Sequence, residues 1–402
     1  MDICLNNFCN TSLDSSIEIS LYTSITAIAE KDWLRFVPND NPLLLPSYLK
    51  LLEETQQGKM RFIYAVLKEE EVTKGICYFE VVRFTGDNLI AYFPVIEPIS
   101  FISRIKIVAQ KIAKSFIRII DLELLVSGNL FMTGDKGAFF SSTISNEEGT
   151  VLLTTTIQKI LKEESKIKAV LLPSLYEPAT DADAIFLKDK YRRIFMEADL
   201  SMKIHSSWKS FEDYLQALSS KYRVRAKKII SVSAVLTHQN LSHQNILEQT
   251  ETIFNLYKNV ADRVDFNLAK LTPTYFAEQK KLTPDTYQFV AYYLDGKMVG
   301  FISLFLLPNK TEVHYVGIDY TINKDYSIYQ RMLYDVVKFA TEKGLPELHF
   351  GRTAPEVKST IGAIQAPMYG YVKHRNVIFN YFMQLFTEGL KPREYTLRNP
   401  FK

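Results

Sequence analysis

The hydrophobic pattern between residues 286 and 363 limits the fold of this chain more than any other feature. Alternating apolar residues predict strands, and apolar residues spaced three or four apart predict helices. The segment contains three strands, a helix and a short strand, in that order: residues 286–294, 298–307, 311–319, 328–343 and 347–350. This order predicts half of an open mixed sheet, in which ligands bind at the carboxyl ends of the strands.

A similar order of elements precedes this segment. After a polar leader, the first half contains two short helices, two strands, an insertion, a strand, a helix and a buried strand ended by Pro173: residues 32–36, 46–55, 61–67, 75–84, 122–126, 150–163 and 169–172. The sequence therefore predicts an α/β (α+β mixed-sheet) protein of two tandem lobes. We place the first at residues 1–200, with a helical insertion at about 88–121, and the second at residues 201–402.

Composition supports this division into two lobes and argues against some classes of function. The 402 residues exceed a typical single core, and 47% of them are hydrophobic, which is enough to build packed cores. The formal net charge of +3 gives no reason to expect binding to duplex nucleic acid. Three cysteines without a CxxC pair predict neither a disulfide framework nor a zinc site, so we expect no bound metal.

The sequence shows no secretory signal and no apolar stretch long enough to span a membrane, so we expect a cytoplasmic protein. Residues 101–120 leave one alternative open. Their apolar side chains follow helical spacing opposite a basic face. Such a helix either packs on the first lobe or makes peripheral contact with the inner face of an anionic membrane.

The strand at residues 311–319 carries the first candidate chemistry. Strict alternation would place Glu312, His314 and Val316 on one face of the sheet and Tyr315 and Gly317 on the other. A carboxylate and an imidazole two positions apart suit a general base and its orienting partner. The alternative is a polar sheet face without catalytic function. Gly317 predicts a bulge or a close backbone approach.

A second candidate lies in the segment from Gly351 to Ala363. Thr353 is a predicted N-cap of a short helix, and a helix N-terminus beside Arg352 favours anions. Lys358 would add a point charge, so a phosphate or the oxyanion of an acyl-transfer intermediate suits this cluster. The alternative is a structural ion pair between Glu356 and one of the two cations.

A dense basic run at residues 221–228 includes Arg223 and Arg225. These residues either form a solvent-exposed face or bind a coenzyme diphosphate, an acidic carrier protein or tRNA. Elsewhere, the segment before residue 328 has no glycine-rich loop for a diphosphate, and the chain has no G-x-S-x-G motif, P-loop or metal-spaced cluster. These absences argue against serine hydrolases, NTPases and metalloenzymes.

Short motifs make the chain resemble the acyl-CoA N-acyltransferase (GNAT) superfamily and, within it, the FemAB-like double-GNAT proteins of bacteria. They are residues 125–129 (LVSGN) with 133–134 (TG), 207–215 (SWKSFEDYL) with 219–223 (SSKYR), and 350–352 (FGR) with 356–358 (EVK) and 361–363 (IGA). Lys358 with Ile361 and Gly362 resembles a lysine pattern near the reacting groups of FemAB-like transferases, although Val357 and Ile361 replace its aromatic residues.

The resemblance implies two GNAT lobes and transfer of an acyl or aminoacyl group to an amine. We expect an N-acyltransferase with no tightly bound cofactor, using acyl-CoA or acyl carrier protein as thioester donor and a lipid or cell-envelope precursor as amine acceptor. Glu312, His314 and Lys358 are the expected catalytic residues. Two further groups are expected to bind the donor and the substrate, respectively: Tyr315, Val316, Gly317 and Arg352, and Arg223, Arg225 and Glu356.

Two alternatives remain. The missing glycine-rich loop leaves room for an aminoacyl-tRNA donor and a peptidoglycan-precursor acceptor. It also leaves room for a non-catalytic binding module with a GNAT-like fold.

Overall fold

The computed structural model describes residues 17–38, 41–86, 120–134, 137–175, 180–264, 267–387 and 395–402. Residues 101–119 of the predicted helix at 101–120, and nearly all of the predicted insertion, lie outside these ranges.

One mixed sheet contains all thirteen strands of the described residues, and it runs through both halves of the chain. The strands are β1 Ile17–Tyr22, β2 Met60–Glu69, β3 Val72–Thr85, β4 Asp121–Ser127, β5 Ala138–Phe140, β6 Ile167–Leu175, β7 Arg192–Lys203, β8 Thr237–Asn240, β9 Tyr287–Leu294, β10 Lys297–Leu306, β11 Thr311–Ile318, β12 Glu347–His349 and β13 Ile364–His374. Their order is β1-β2-β3-β4-β6-β13-β7-β12-β11-β10-β9-β8, with β5 paired to β3.

Thirteen α-helices of the described residues cover the two faces of this sheet. They are α1 Glu30–Leu34, α2 Pro46–Thr55, α3 Asn146–Glu163, α4 Thr180–Lys188, α5 Phe211–Ala217, α6 Ser220–Val232, α7 His243–Glu248, α8 Thr250–Ala261, α9 Tyr275–Leu282, α10 Tyr320–Tyr326, α11 Ile328–Lys343, α12 Pro355–Ser359 and α13 Val377–Thr387. The α/β class and the two-lobed architecture predicted from the sequence are confirmed.

Most predicted elements are present close to their predicted bounds, and α2 and α11 begin and end at the predicted residues. The predicted end of a strand at Pro173 is wrong, because β6 continues to Leu175. The pairing of β6 with β13 shifts register between Leu172 and Leu175. A proline fits at such an irregularity because it needs no ladder hydrogen bond there.

Two strands join the halves. β13, from the end of the chain, lies between β6 and β7 and runs antiparallel to both. On its other side β7 pairs antiparallel with β12. The predicted boundary at residues 200/201 falls within β7, and it stays a prediction.

Three hydrophobic clusters fill the two faces of the sheet. One lies under α3, the second lies under α5 and α11, and the third is formed by residues of both halves. The shared cluster contains Trp33 and Tyr48 from the first half and Tyr275 and Phe276 from the second. The hydroxyls of Tyr48 and Tyr275 lie 3.1 Å apart within it. The two halves therefore pack as one body on this face.

Candidate functional site

A gap opens in the sheet where β11 and β12 separate. These parallel strands pair only through Thr311 with Leu348 and Glu312 with His349. β12 ends at His349, whereas β11 continues to Ile318. A cavity of about 190 Å³ lies along the gap, lined on its two sides by residues 312–316 and 350–353. Among the described strands, none pairs with β11 beyond Glu312 on that side, which is the arrangement that the sequence-based hypothesis of a donor site requires.

A β-bulge shapes the wall of the cavity. Across β10 and β11, Ile302 pairs with Val316 and Leu304 with Val313, so Ser303 faces two residues of β11. The buried Ser303 hydroxyl accepts a hydrogen bond from Tyr315 N at 3.0 Å and donates one to Tyr315 O at 3.3 Å. The bulge adds one residue and reverses the side-chain alternation beyond it.

The predicted alternation along this strand is therefore wrong from Tyr315 onward. The His314 and Tyr315 rings lie together, with centroids 4.4 Å apart, and Tyr315 packs against the cluster shared by both halves. Val316 packs instead against the cluster under α11. The bulge lies at His314 and Tyr315 rather than at Gly317. At Gly317 a Cβ atom would lie 2.1 Å from the Phe301 ring and 2.9 Å from Leu256 Cβ, so this glycine permits close packing of α8 on the sheet.

Glu312 lies at the point where the two strands part. Its carboxylate is 3.3 Å from Lys310 Nζ, and both side chains are largely buried. Burial raises the pKa of Glu312, while the nearby charges of Lys310 and His349 oppose this rise. His349 is its neighbour across the strand pair and lies 3.3 Å from the carboxylate of Asp199 on β7. The carboxylate is thus placed at the cavity within a network of charged residues.

His314 lies beside Glu312 along the strand but is surrounded by aromatic rings. Its Nε2 atom is 3.4 Å from the Tyr275 hydroxyl, and its Nδ1 atom is buried without a hydrogen-bond partner among the described residues. Burial lowers the pKa of His314 to about 3, so the ring is neutral at physiological pH. No hydrogen bond connects Glu312 with His314 in the described structure. The expected pairing of these two as base and orienting partner is therefore not formed.

Lys358 is the buried cation of the cavity. Its side chain lies on α12, and the residue is 3% exposed. The ammonium donates hydrogen bonds to Phe350 O at 2.6 Å and Gly351 O at 3.2 Å, which fix it at the end of β12. Burial lowers the pKa of Lys358 to about 7, and the charges of Asp199 and Glu197 oppose this shift.

Arg352 lines the same cavity, and its guanidinium has no hydrogen-bond or ion-pair partner within the described ranges. A guanidinium without such a partner is available to an anion. The predicted N-cap at Thr353 is wrong, because Ala354 occupies that position with φ of 55° and makes no side-chain cap. The positive charge of this wall therefore comes from the Arg352 and Lys358 side chains.

Three predicted substrate-binding residues do not line the cavity. Glu356 accepts a hydrogen bond from Thr396 N at 3.1 Å and so helps to hold the end of the chain. Arg223 and Arg225 lie on α6, which packs against α10 and α11. Their predicted role in binding stays a prediction, at a surface separate from the cavity walls.

Sequence reasoning missed several contributors to the site. Residues 130–133 of the first half line the cavity of the second half. Ser303 and the Asp199–His349 pair were also missed, although Pro367 of β13 marks the irregular pairing beside Asp199. The sequence signal for the contribution of the first half was the motif at residues 125–129 and 133–134, together with the short apolar segment between its two parts.

The first half has no equivalent gap among its described strands. There β4 pairs in parallel with β6 from Glu123 to Val126, and β4 ends at Ser127. Among the described strands, the gap therefore occurs only in the second half, although residues 130–133 of the first half help to line its cavity. Across the described ranges, no helix has the length and apolar character needed to cross a membrane, and no cluster of three metal-ligating side chains occurs.

Neither a protein-family model nor a curated protein sequence matches the chain. Solved structures do. The crystal structure of FemX superposes with a TM-score of 0.55 at 12% identity, covering 91% of this chain and 100% of that one. The chain has a FemAB-like double-GNAT fold. Two further solved structures are similar to this protein. One is a tandem GNAT protein from the clavulanic acid biosynthesis pathway, with a TM-score of 0.49 at 9% identity, covering 90% of this chain and 99% of that one. The other is L-PGS from Bacillus licheniformis, with a TM-score of 0.45 at 10% identity, covering 88% of this chain and 97% of that one.

Proposed function

We propose that this protein is a GNAT-type N-acyltransferase that moves an acyl group from the thioester of acyl-CoA or acyl carrier protein to an amine of a lipid or cell-envelope precursor. The observation that carries the proposal is the parting of β11 from β12 with Glu312, Lys358 and Arg352 along the gap. An extended thioester arm fits between diverging strands, because their free backbone groups hydrogen-bond it as a neighbouring strand would.

Glu312 is the proton acceptor in this proposal. The amine attacks the thioester carbonyl, a C–N bond forms, the C–S bond breaks with its electron pair leaving on the thiolate of the donor, and the Glu312 carboxylate takes the proton that the amine loses. Burial raises the pKa of Glu312 from that of an ordinary carboxylate, which brings its basicity closer to neutral pH. His314, with a pKa of about 3, is a much weaker base. Its proposed place is in the cavity wall, beside the Tyr275 hydroxyl.

Lys358 and Arg352 stabilise the negative charge that develops on the carbonyl oxygen. Lys358 is preorganised because two backbone carbonyls orient its ammonium. A fixed donor in a site that excludes water stabilises a developing charge more than a mobile donor at the surface does.

Lys358→Met tests this role, because it keeps the length of the side chain and removes the charge. We expect turnover to fall by about 10²–10³-fold, the usual effect of losing one such donor. Purified protein is incubated with acyl-CoA or acyl carrier protein and with lipid and envelope-precursor extracts, and mass spectrometry follows N-acylated products. Lys338→Met, an exposed lysine of α11, is the matched control. Equal turnover of wild type and Lys358→Met would exclude Lys358 from the chemistry.

Aminoacyl transfer from tRNA to a peptidoglycan precursor is the second candidate. Two observations favour it: α6 presents exposed cations at Lys221, Arg225, Lys227 and Lys228, and α10 occupies the segment where a glycine-rich diphosphate loop would lie. This activity would depend on aminoacyl-tRNA and fall steeply with salt, because phosphate contacts release counterions. Product formation from acyl-CoA without RNA, unaffected by salt, would decide against it.

A further inference from the structure

The start of α13 exposes an unusual group of large apolar side chains. Val377, Ile378, Phe379 and Tyr381 are 83%, 67%, 61% and 63% exposed, within five positions of the chain. The helix sequence VIFNYFMQLFT contains no charged residue. Contiguous exposed apolar groups of this kind mark interaction sites in soluble proteins.

Polar bonds hold this first turn in a defined orientation. The Asn376 side chain accepts hydrogen bonds from Ile378 N at 2.9 Å and Phe379 N at 3.2 Å. Asn380, the buried residue of the turn, accepts one from His374 N and donates one to Lys190 O at 2.9 Å. Because the buried side of the turn is fixed in this way, its apolar residues project from the protein.

A basic rim lies beside the apolar group. Arg375 N donates to Lys168 O at 2.8 Å, so the segment 164–168 and the segment 187–190 both flank the start of α13. The exposed cations of these two segments are Lys166, Lys168, Lys188 and Lys190, and Arg375, two residues before α13, is also exposed. Leu187 beside them is 46% exposed. Two carboxylates are present, Asp189 and Glu164, and the second is paired with Arg61 at 3.3 Å. Positive charge therefore predominates in the segments that flank the apolar residues.

We propose that this surface, formed by the first turn of α13 and its basic rim, docks on an anionic lipid bilayer. Apolar side chains on one turn enter the boundary between headgroups and acyl chains, while the surrounding cations contact lipid phosphates. The complementarity of the basic rim to anionic headgroups favours a membrane over a purely apolar partner. The inference concerns a surface outside the gap between β11 and β12, and it does not depend on the transfer reaction.

Vesicle sedimentation with the full chain tests the proposal. Wild-type protein should sediment with phosphatidylcholine vesicles that contain phosphatidylglycerol, sediment less with phosphatidylcholine alone, and dissociate as salt screens the charges. Absence of sedimentation with the anionic vesicles at low salt would overturn the proposal.

Two sets of variants separate the contributions. Ile378→Ser with Phe379→Ser should weaken binding to anionic vesicles by about tenfold or more, because apolar area no longer leaves water. Lys168→Gln, Lys190→Gln and Arg375→Gln together should remove the preference for phosphatidylglycerol. Val72→Ser with Val235→Ser, which changes two exposed apolar residues elsewhere, is the control and should bind as wild type does.

Circular dichroism confirms folding of each variant, and the altered side chains are exposed, so their Tm should be unchanged. Undiminished vesicle binding by the Ile378→Ser/Phe379→Ser variant would overturn the proposal and direct attention to residues 101–120. Sedimentation velocity tests the alternative that a second copy of this chain binds the surface. Dimerisation that this variant abolishes, without vesicle binding by the wild type, would show a self-association surface and would also overturn the proposal.

Discussion

Lys358 has a protonation state that depends on pH near neutrality. Its ammonium is bonded to two carbonyls in a buried position, and its pKa falls from 10.5 to about 7 in the folded protein. Below about pH 7 the lysine is charged in both the folded and the unfolded chain, and the full cost of burying the charge is present. Between about 7 and 10.5 the unfolded chain holds more protons, so this cost is progressively relieved as pH rises.

This linkage predicts a measurable difference in stability. The free energy of unfolding of the wild type, relative to Lys358→Met, should rise between pH 7 and pH 9 by up to about 1.4 kcal/mol per pH unit. Urea unfolding of both proteins at each pH measures it, and subtraction cancels the titration of all groups that the two share. Parallel pH profiles would show that Lys358 titrates normally.

At the scale of single residues, the sequence predicted which residues line the cavity better than it predicted their contacts. Glu312, Lys358 and Arg352 do line one cavity. Glu312 lies where β11 pairs with β12, and Arg352 and Lys358 belong to the segment that follows β12. The partners of these residues could not be predicted. Asp199 reaches His349 only through the pairing of β7 with β12, two segments about 150 residues apart.

The element that defines the site is the bulge of β11, which the Ser303 hydroxyl supports. Ser303→Ala leaves the buried Tyr315 N without its acceptor, so we expect a loss of about 1–3 kcal/mol in the free energy of unfolding and lower turnover. Thr341→Val is the control, because the buried Thr341 hydroxyl only adds a bond to Val337 O within α11. Chemical denaturation and the transfer assay measure both variants. A smaller effect for Ser303→Ala than for Thr341→Val would contradict the role of the hydroxyl.

The bulge also shows why the local hydrophobic pattern could not predict the faces of all side chains on β11. Alternation predicts faces only while pairing is regular, and a single added residue between Val313 and Val316 reverses it. β7 and β13 were missed for a related reason. Both sequences contain charged residues, and β13 also contains Pro367 and Gly370. These two segments become strands through long-range pairing in the middle of the sheet.

The whole molecule is held together by the exchange of strands between its halves. β13 completes the sheet between β6 and β7, and residues 130–133 of the first half line the cavity of the second. Neither half should therefore fold alone when residues 1–200 and 201–402 are produced separately, because each exposes unpaired strand edges. We expect soluble, active protein only on co-expression, followed by size-exclusion chromatography and the transfer assay. A cooperative unfolding transition of residues 201–402 alone would contradict this view.

The central claim is that a thioester donor lies in the gap between β11 and β12, and filling the gap tests it most directly. The measurement is the affinity, by titration calorimetry, for an alkyl-pantetheine thioether, which keeps the arm shared by CoA and carrier proteins but cannot react. Val316→Trp, at the lining of the gap, should weaken binding by about tenfold or more through steric exclusion, whereas Val235→Trp at an exposed site should not. Equal affinity of Val316→Trp and wild type would contradict the account.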